Sequence, residues 1–134
     1  MDQQAQILIV DDVSRNIQVL ASLLEDEGFK IRFSTSGIQA LQSVVKQHPS
    51  LILLDINMPG MDGFEVCRRL KADETTCHIP IIFLTANIDE DKIAEGFEVG
   101  AVDYVTKPFR AKELISRVNT HLRLQQALKD SDAA

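Results

Sequence analysis

Three aspartates in this sequence follow short runs of apolar residues. Asp11 and Asp12 come directly after Gln6–Val10, and Asp55 comes directly after Leu51–Leu54. A short, continuously apolar run bounded by turn residues is typical of a strand buried on both faces. A carboxylate at the end of such a strand is costly to bury unless a proton or a cation neutralises it. The pattern therefore predicts a cluster of acids that is either paired or chemically used.

Two further polar side chains follow later apolar runs. Thr85 comes after Pro80–Leu84, and Lys107 comes shortly after Ala101–Val105. A hydroxyl group and an ammonium group facing a metal-bound carboxylate form a site for a dianionic, phosphate-like group. Each residue has a simpler explanation on its own, Thr85 as a helix cap and Lys107 as a surface lysine paired with any acid. The prediction depends on four strand ends that deliver complementary groups together.

The acidic residues predict a magnesium site. Carboxylate oxygens of this kind suit Mg²⁺, which keeps several waters and is commonly shared with a phosphoryl group. For Asp11 and Asp12 the alternative is a turn or a helix cap. Because Asp55 ends a second buried strand, we favour a site for Mg²⁺ formed by all three aspartates.

The histidines and cysteines predict neither a zinc site nor a disulfide framework. His48, His78 and His121 show no metal-ligand spacing, and Cys77 next to His78 lacks further partners in the sequence, so zinc is not expected. Cys67 and Cys77 could form at most one bridge. We expect two reduced thiols.

Length and charge restrict the class of protein. The chain has 134 residues and a formal net charge of -6, which suits one domain with one core and argues against direct binding of nucleic acid. Basic residues near the end, such as Arg117 and Arg123, are expected on a solvated helix face. Met1–Gln6 lacks the features of a signal peptide, and no apolar run approaches membrane-spanning length. We expect a cytoplasmic protein that does not contact membranes.

The apolar runs alternate with segments of helical periodicity. Ser14 is expected to cap the first helix and Gly28 to end it. Phe29–Ser34 alternates apolar and polar residues, which suits a strand near a sheet edge. The expected strands are residues 6–10, 29–34, 51–55, 80–84 and 101–105, and the expected helices are residues 14–27, 37–48, 64–72, 89–99 and 111–128.

The fourth of these helices is predicted to be the weakest. It contains Gly96, which lowers helical stability by roughly 1 kcal/mol relative to alanine. Ile93 and Phe97 are expected to face inward. This helix is therefore a candidate for movement.

Alternating strands and helices predict an α/β fold with right-handed crossovers and a parallel sheet covered on both faces. We adopt a doubly wound, five-stranded, flavodoxin-like sheet with strand order 2-1-3-4-5, one of the common orders for such sheets. Ligands bind these sheets at the carboxyl ends of the strands, where the chain order reverses. In this order the reversal lies between the first and third strands, which brings Asp11, Asp12 and Asp55 to one crevice.

The residues at these strand ends resemble the receiver domain of two-component response regulators. The resemblance covers residues 7–122, nearly the whole chain. The matching pieces are Val10-Asp11-Asp12, Leu54-Asp55 with Met58-Pro59-Gly60-Met61-Asp62-Gly63, Leu84-Thr85-Ala86, and Gly100-Ala101 to Lys107-Pro108-Phe109.

The resemblance implies that Asp55 is a phosphoacceptor, which takes a phosphoryl group from the phosphohistidine of a sensor histidine kinase or a phosphotransfer protein. Lys107 would pair with the phosphoryl group and Thr85 would hydrogen-bond to it. Thr85 and Tyr104 would form a switch, in which Tyr104 turns inward. The alternative for Tyr104 is a half-buried edge aromatic with a solvated hydroxyl. The output surface would be the fourth helix, the fifth strand and the last helix.

The same resemblance implies a ligand set for Mg²⁺. Asp12 and Asp55 would bind the ion directly, Asp11 chiefly through water, and Asn57 through its backbone carbonyl. Asn57 and Asn87 would flank the phosphorylation site and tune hydrolysis.

A cis peptide bond between Lys107 and Pro108 is also implied by the resemblance. The general frequency of cis bonds before proline would not predict it.

Two alternatives stay open at this point. A phosphohydrolase of the haloacid dehalogenase type also uses an aspartate nucleophile at a strand end, but it has a second aspartate two positions on, where this chain has Asn57. We therefore expect that the protein does not turn over external substrates. It would not be an enzyme, and it would catalyse only its own phosphorylation and dephosphorylation. The other alternative is a receiver-fold interaction module that is not phosphorylated. This alternative is less favoured because the chain keeps all five site residues, which such a module would not need: Asp11, Asp12, Asp55, Thr85 and Lys107.

The last helix predicts an organisation into residues 1–122, the receiver domain, and residues 123–134, a projecting end. A helix from Ala111 to Lys129 would extend roughly 28 Å, beyond the length of a typical strand. Leu124 and Leu128 then have no place on the sheet. We expect them either to form a homodimer, together with the surface of the fourth helix and fifth strand, or to begin a linker to a C-terminal output domain.

Overall fold

The computed structural model describes residues 5–86 and 89–133, with side chains described as far as residue 129. Five strands alternate with five helices. The strands are β1 (Gln6–Val10), β2 (Lys30–Ser34), β3 (Leu51–Asp55), β4 (Ile81–Thr85) and β5 (Asp103–Thr106). The helices are α1 (Ser14–Glu25), α2 (Gly37–Lys46), α3 (Gly63–Ala72), α4 (Glu90–Glu98) and α5 (Ala111–Ala133).

All strand pairs are parallel, and the order is β2-β1-β3-β4-β5. This confirms the predicted doubly wound fold and places the alternating strand β2 at an edge. Val10 lies opposite Leu54 in the register of β1 and β3, so both strands end at the same level. The carboxyl ends of β1, β3 and β4 therefore form one continuous border of the sheet.

The side chains of β1 show how the core is divided into two layers. Leu8 and Val10 pack with residues of α2 and α3, whereas Ile7 and Ile9 pack with residues of α1 and α5. All four are fully buried. Strands covered on both faces in this way have no polar face, which is why they appear in the sequence as continuous apolar runs.

Helix α1 lacks the side-chain cap that the sequence predicts. The helix begins at Ser14, its N-cap is Val13, and no side chain caps it. Instead, the carboxylate of Asp11 accepts a hydrogen bond of 2.9 Å from the backbone N–H of Val13. The prediction for Ser14 is wrong because the preceding aspartate already satisfies the turn that leads into the helix.

Helix α4 faces the sheet differently from the prediction. Phe97 is 48% exposed, and Gly96 is the buried residue of this helix. A Cβ atom at position 96 would lie 3.0 Å from Cδ2 of Phe83 in β4, so the glycine allows the helix to lie close to the sheet. The expectation that Phe97 faces inward is wrong because a close approach between helix and strand selects the smallest residue, not the most apolar one.

Helix α5 is longer than predicted. Leu114 and Val118 in its first half are fully buried, whereas Leu124 and Leu128 are 54% and 62% exposed. The exposure of these two leucines agrees with the expectation that they have no place on the sheet. Among the described residues, no helix is long and apolar enough to cross a membrane.

The turn between β3 and α3 depends on Gly63. Its N–H donates a hydrogen bond of 2.8 Å to the carbonyl oxygen of Ile56. A Cβ atom at position 63 would lie 2.3 Å from the carbonyl oxygen of Asp55 and 2.9 Å from Cα of Ile56. Both neighbours are backbone atoms, so they cannot rotate away.

We predict that Gly63→Ala destabilises the protein by about 1–3 kcal/mol, because the added methyl group forces the start of α3 away from the end of β3. Urea unfolding followed by far-ultraviolet circular dichroism measures this loss. Gly60→Asn is the matched control, since Gly60 has a φ of +76° with open space around it and asparagine tolerates that conformation. Equal stability of Gly63→Ala and the wild type would contradict the role assigned to this turn.

Candidate functional site

Asp11, Asp12 and Asp55 meet at the carboxyl ends of β1 and β3. One carboxylate oxygen from each lies within 4.8 Å of the others. Asp11 is fully buried, Asp55 is 2% exposed, and Asp12 is exposed. The three predicted acids are therefore together, and Asp12 connects the cluster to solvent.

Asp11 is held by its neighbours in the loop and the first turn of α1. One carboxylate oxygen accepts the hydrogen bond from the N–H of Val13, and the other accepts a bond of 3.1 Å from Nδ2 of Asn16. Asn16 was missed in the sequence because a lone asparagine five residues after an acid has no distinctive signal. Its amide fixes the orientation of the Asp11 carboxylate.

Lys107 brings positive charge to the cluster. Its Nζ atom lies 3.1 Å from Oδ1 of Asp55 and 3.6 Å from Oδ2 of Asp11. The peptide bond between Lys107 and Pro108 is cis, as predicted. The backbone N–H of Lys107 donates a hydrogen bond of 2.8 Å to the carbonyl oxygen of Thr85. This bond joins the ends of β4 and β5 beside the acids.

Burial raises the pKa of Asp55 from 3.8 to about 6. The hydrogen bond from Lys107 opposes this shift, the negative charge of Asp11 adds to it, and the backbone N–H of Asn57 opposes it. The raised value shows that one ammonium group does not fully compensate two buried carboxylates. A further cation at the cluster would favour the ionised form of Asp55.

The donor set fits Mg²⁺. The ion binds hard oxygen ligands at about 2.0–2.1 Å, so two oxygens that share one ion lie at most about 4.2 Å apart. The observed limit of 4.8 Å among Asp11, Asp12 and Asp55 is close to that span. Small side-chain adjustments, above all of the exposed Asp12, would suffice. Asn57 is exposed beside them at the start of the next loop.

Thr85 and Tyr104 lie next to each other around a pocket beneath α4. Thr85 is 3% exposed, and both residues line this pocket together with Ile56 and Phe97. Tyr104 is half-buried, and its ring lies 6.3 Å from that of Phe97 in an edge arrangement. Asn87, also expected near the site, lies outside the described residues.

An ion-pair cluster between β5 and α5 was not predicted. Asp103 accepts hydrogen bonds of 2.5 Å from Arg117 and 3.0 Å from His121. Burial alone would raise the pKa of Asp103, but the bonds from Arg117 and His121 outweigh it and hold the pKa below its ordinary value. The guanidinium of Arg117 also lies 5.8 Å from the ring centre of Tyr104. The side chain of Arg117 is 35% exposed, and the packing of α5 on β5 also pairs it with an acid distant in sequence, which the sequence did not predict.

Comparison with known proteins gives consistent matches. The family model described as "Response regulator receiver domain" matches residues 7–119. The DNA-binding response regulator MtrA of Mycobacterium tuberculosis is 44% identical over 124 residues, which are 92% of this chain and 53% of that protein. The response regulator PleD of Caulobacter vibrioides is 40% identical over 126 residues, which are 94% of this chain and 28% of that protein. The chain thus spans about half or less of these relatives.

Solved structures agree. A putative response regulator from Chloroflexus aurantiacus has a TM-score of 0.87 and 38% identity, with coverage of 90% of this chain and 98% of that chain. The chemotaxis protein CheY4 of Vibrio cholerae has a TM-score of 0.83 and 31% identity, with coverage of 87% and 98%. With a family match over most of its length, relatives of this similarity and the same strand order, the chain belongs to the response regulator receiver domain family.

Proposed function

We propose that this receiver domain accepts a phosphoryl group on Asp55 from the phosphohistidine of a sensor histidine kinase or a phosphotransfer protein. The observation that carries the proposal is the contact of Lys107 with the buried Asp55 in a cluster of three acids at the strand ends. A nucleophile for phosphoryl transfer needs nearby positive charge for the transferred oxygens and a fixed orientation. The surroundings of Asp55 supply both.

Asp55 acts as the nucleophile in this proposal. A carboxylate oxygen of Asp55 forms a bond to phosphorus while the bond between phosphorus and the imidazole nitrogen breaks. The electron pair of the broken bond stays on the imidazole, and the product is an aspartyl phosphate. The ammonium group of Lys107 leaves its contact with the carboxylate and pairs with the phosphoryl oxygens. The hydroxyl group of Thr85 donates a hydrogen bond to the same oxygens.

Bound Mg²⁺ would supply further positive charge to the phosphoryl oxygens. We assign direct ligation to Asp12, Asp55 and the backbone carbonyl of Asn57. Asp11 contributes chiefly through water, which is supported by the engagement of both its oxygens with Val13 and Asn16. In this arrangement Asp12 is the ligand with the greatest freedom to adjust.

Thr85 and Tyr104 are proposed to transmit the phosphorylation of Asp55 to the surface of α4, β5 and α5. When Thr85 turns toward the phosphoryl group, it leaves space in the pocket that it lines together with Tyr104 and Gly96. The ring of Tyr104 turns into that space, which alters the surface of α4, β5 and α5. Phosphorylation of Asp55 would thereby favour the inward position of the Tyr104 ring over the outward one.

We further propose that residues 1–122 form the receiver domain and residues 123–134 its projecting end. The exposed leucines of α5 then serve a homodimer, in which the surface of α4 and β5 takes part, or lead into an output domain. The greater length of MtrA and PleD supports an output domain, and the former is named as DNA-binding. The net charge of -6 supports placing nucleic-acid contacts outside this domain. A kinase partner implies a cytoplasmic site of action.

The comparisons offer no support for a phosphohydrolase of the haloacid dehalogenase type. Asn57 stands where that class has its second aspartate. The chemistry proposed here is therefore limited to the formation and loss of the domain's own aspartyl phosphate.

Incubation with a small phosphoryl donor and Mg²⁺ is expected to add one phosphoryl group to the wild type. Asp55→Asn should gain none, because an amide is not a nucleophile under these conditions. Intact mass spectrometry measures the gain. Asp26→Asn is the matched control, since Asp26 is an exposed aspartate at the end of α1. No gain in the wild type, or equal gain in Asp55→Asn, would reject the proposal.

The raised pKa of Asp55 predicts a pH-dependent cost in stability without divalent ions. The folded protein keeps the carboxyl proton up to about pH 6, whereas the unfolded chain loses it near 3.8. The folded state therefore binds more protons between these values, and stability falls as the pH rises through them. Asp55→Asn removes this cost and should be more stable at pH 7 by about 3 kcal/mol.

Urea unfolding at several pH values in metal-free buffer measures this difference. Added Mg²⁺ should stabilise the wild type and have a much smaller effect on Asp55→Asn, since the ion offsets the charge that the variant lacks. A wild type as stable as the variant at pH 7 without metal would contradict the unfavourable burial of Asp55.

The end of α5 predicts self-association. We expect the domain to dimerise at high concentration, and Leu124→Ser with Leu128→Ser to weaken the dimer at least about tenfold, because two apolar contacts are lost. Analytical ultracentrifugation measures the association. The matched control is Ile38→Ser with Val45→Ser, which changes two residues of α2 that are 59% and 74% exposed. A monomer at every concentration, or an equal effect of the control, would exclude a dimer through α5.

A further inference from the structure

A pair of histidines lies at the end of the sheet opposite the acidic cluster. His48 is in the connection from α2 to β3, and His78 is in the connection from α3 to β4. Both are exposed, and their ring centres lie 6.2 Å apart with the planes tilted by 58°. Thirty positions separate them in sequence, so neither has a ligand-like spacing to the other. Only the adjacency of β3 and β4 brings them together.

We propose that His48 and His78 form a binding site for a borderline divalent transition-metal ion such as Zn²⁺. Imidazole nitrogens bind Zn²⁺ at about 2.0–2.1 Å, which places each ring centre about 3.2 Å from the ion. Two rings on one ion can therefore have centres up to about 6.4 Å apart, and a tetrahedral angle needs about 5.2 Å. The observed 6.2 Å lies within that span. An adjustment of about 1 Å, within the reach of exposed side chains, gives the tetrahedral arrangement.

The segment that carries His78 is held in place. Nζ of Lys71 donates hydrogen bonds of 2.9 Å to the carbonyl oxygen of Cys77 and 2.7 Å to that of Ile79, on either side of the histidine. The hydroxyl of Thr76 donates a further bond of 2.6 Å to the carbonyl oxygen of Leu70. Fixed backbone on both sides lowers the entropy lost when the imidazole binds an ion.

The segment that carries His48 is fixed as well. It is followed by the buried residue Pro49, and the N–H of Ser50 donates a bond of 2.7 Å to the carbonyl oxygen of Gln6. The hydroxyl of Ser50 accepts a bond of 3.1 Å from the N–H of Gln6. Both ligands therefore project from connections that are anchored to the sheet.

Charges of both signs lie near the pair, one carboxylate and two ammonium groups. The carboxylate of Asp73, which accepts bonds from Thr75, lies close enough to His48 for their charges to interact. Lys71 and Lys129 place positive charge near His78. Within the described residues, the acidic cluster is the only place where three candidate ligand atoms lie within 4.8 Å of one another. The histidine pair thus offers two protein ligands and leaves the other positions to water, unlike a closed structural zinc site.

The site is independent of the acidic cluster. The two lie at opposite ends of β3, a five-residue strand, about 16 Å apart along the sheet. The donor chemistry also differs, since Mg²⁺ prefers oxygen and imidazole suits zinc, copper and nickel. An ion between the histidines would join the connection before β3 to the connection before β4 and stabilise the folded state.

A titration of the whole domain with Zn²⁺ in excess Mg²⁺, followed by amide NMR, tests the proposal. We expect shifts of the backbone signals around His48 and His78 that saturate with one ion. His48→Gln and His78→Gln should each lower the affinity for Zn²⁺ at least about tenfold. Loss of a residue that only hydrogen-bonds to a metal ligand commonly lowers metal affinity by that factor, and here a ligand itself is lost. His121→Gln is the matched control and should bind as the wild type does, because His121 is paired with Asp103.

The melting temperature is a second measurement of Zn²⁺ binding that does not depend on the NMR signals. Zn²⁺ should raise the melting temperature of the wild type and of His121→Gln by more than that of the two other histidine variants. The proposal is wrong if Zn²⁺ leaves the signals around the pair unchanged, or if either His48→Gln or His78→Gln keeps the parental affinity. It is also wrong if Cys77→Ser abolishes binding and the histidine variants do not, since the thiol would then be the ligand. Phosphoryl gain on Asp55 is scored separately, so its failure is distinguishable.

Discussion

The uncompensated negative charge of two buried aspartates is the constraint on which the site depends. Asp11 and Asp55 are almost completely removed from solvent, and the ammonium group of Lys107 pairs with both. Burial raises the pKa of Asp55 to about 6 despite the contact with Lys107. A folded protein gains nothing in stability from such an arrangement. It gains a carboxylate whose ionisation responds strongly to any added cation.

Hydrogen bonds and close packing of the surrounding elements hold these groups in place. Hydrogen bonds from Val13 and Asn16 orient Asp11, and the backbone of Lys107 is tied to Thr85. The absence of a side chain at Gly63 lets α3 begin directly against the end of β3. These contacts therefore all lie around the acidic cluster. The parts proposed to move, Tyr104 and α4, lie on the neighbouring side, where Phe97 is exposed and only a glycine of the helix is buried.

The two ends of the sheet carry different donor atoms because the connections at each end contain different polar residues. At the carboxyl ends of the strands, acids and a lysine converge from β1, β3 and β5, and the donor atoms are oxygens. At the amino ends, His48 and His78 project from anchored connections, and the donor atoms are nitrogens. The two ends of the sheet therefore offer donor atoms of different class, oxygens at one end and imidazole nitrogens at the other.

Much of this protein follows from the sequence alone. The continuously apolar runs predict strands buried on both faces, their alternation with helices predicts a parallel sheet, and the acids that end β1 and β3 predict a shared crevice. These features are local in sequence, or follow from the rule that parallel strands end at the same side. The location of Asp11, Asp12, Asp55, Thr85 and Lys107 at the carboxyl edge of the sheet therefore follows from the sequence.

Tertiary structure alone decided the features that depend on how distant segments pack. Gly96 rather than Phe97 is the buried residue of α4, because the close approach of α4 to Phe83 leaves little room for a side chain there. Arg117 and His121 are paired with Asp103 because α5 packs along β5. His48 and His78 lie side by side because β3 and β4 are neighbours. Each is a relation between residues far apart in sequence, and its physical basis, the distance between two surfaces, exists only once the chain has folded.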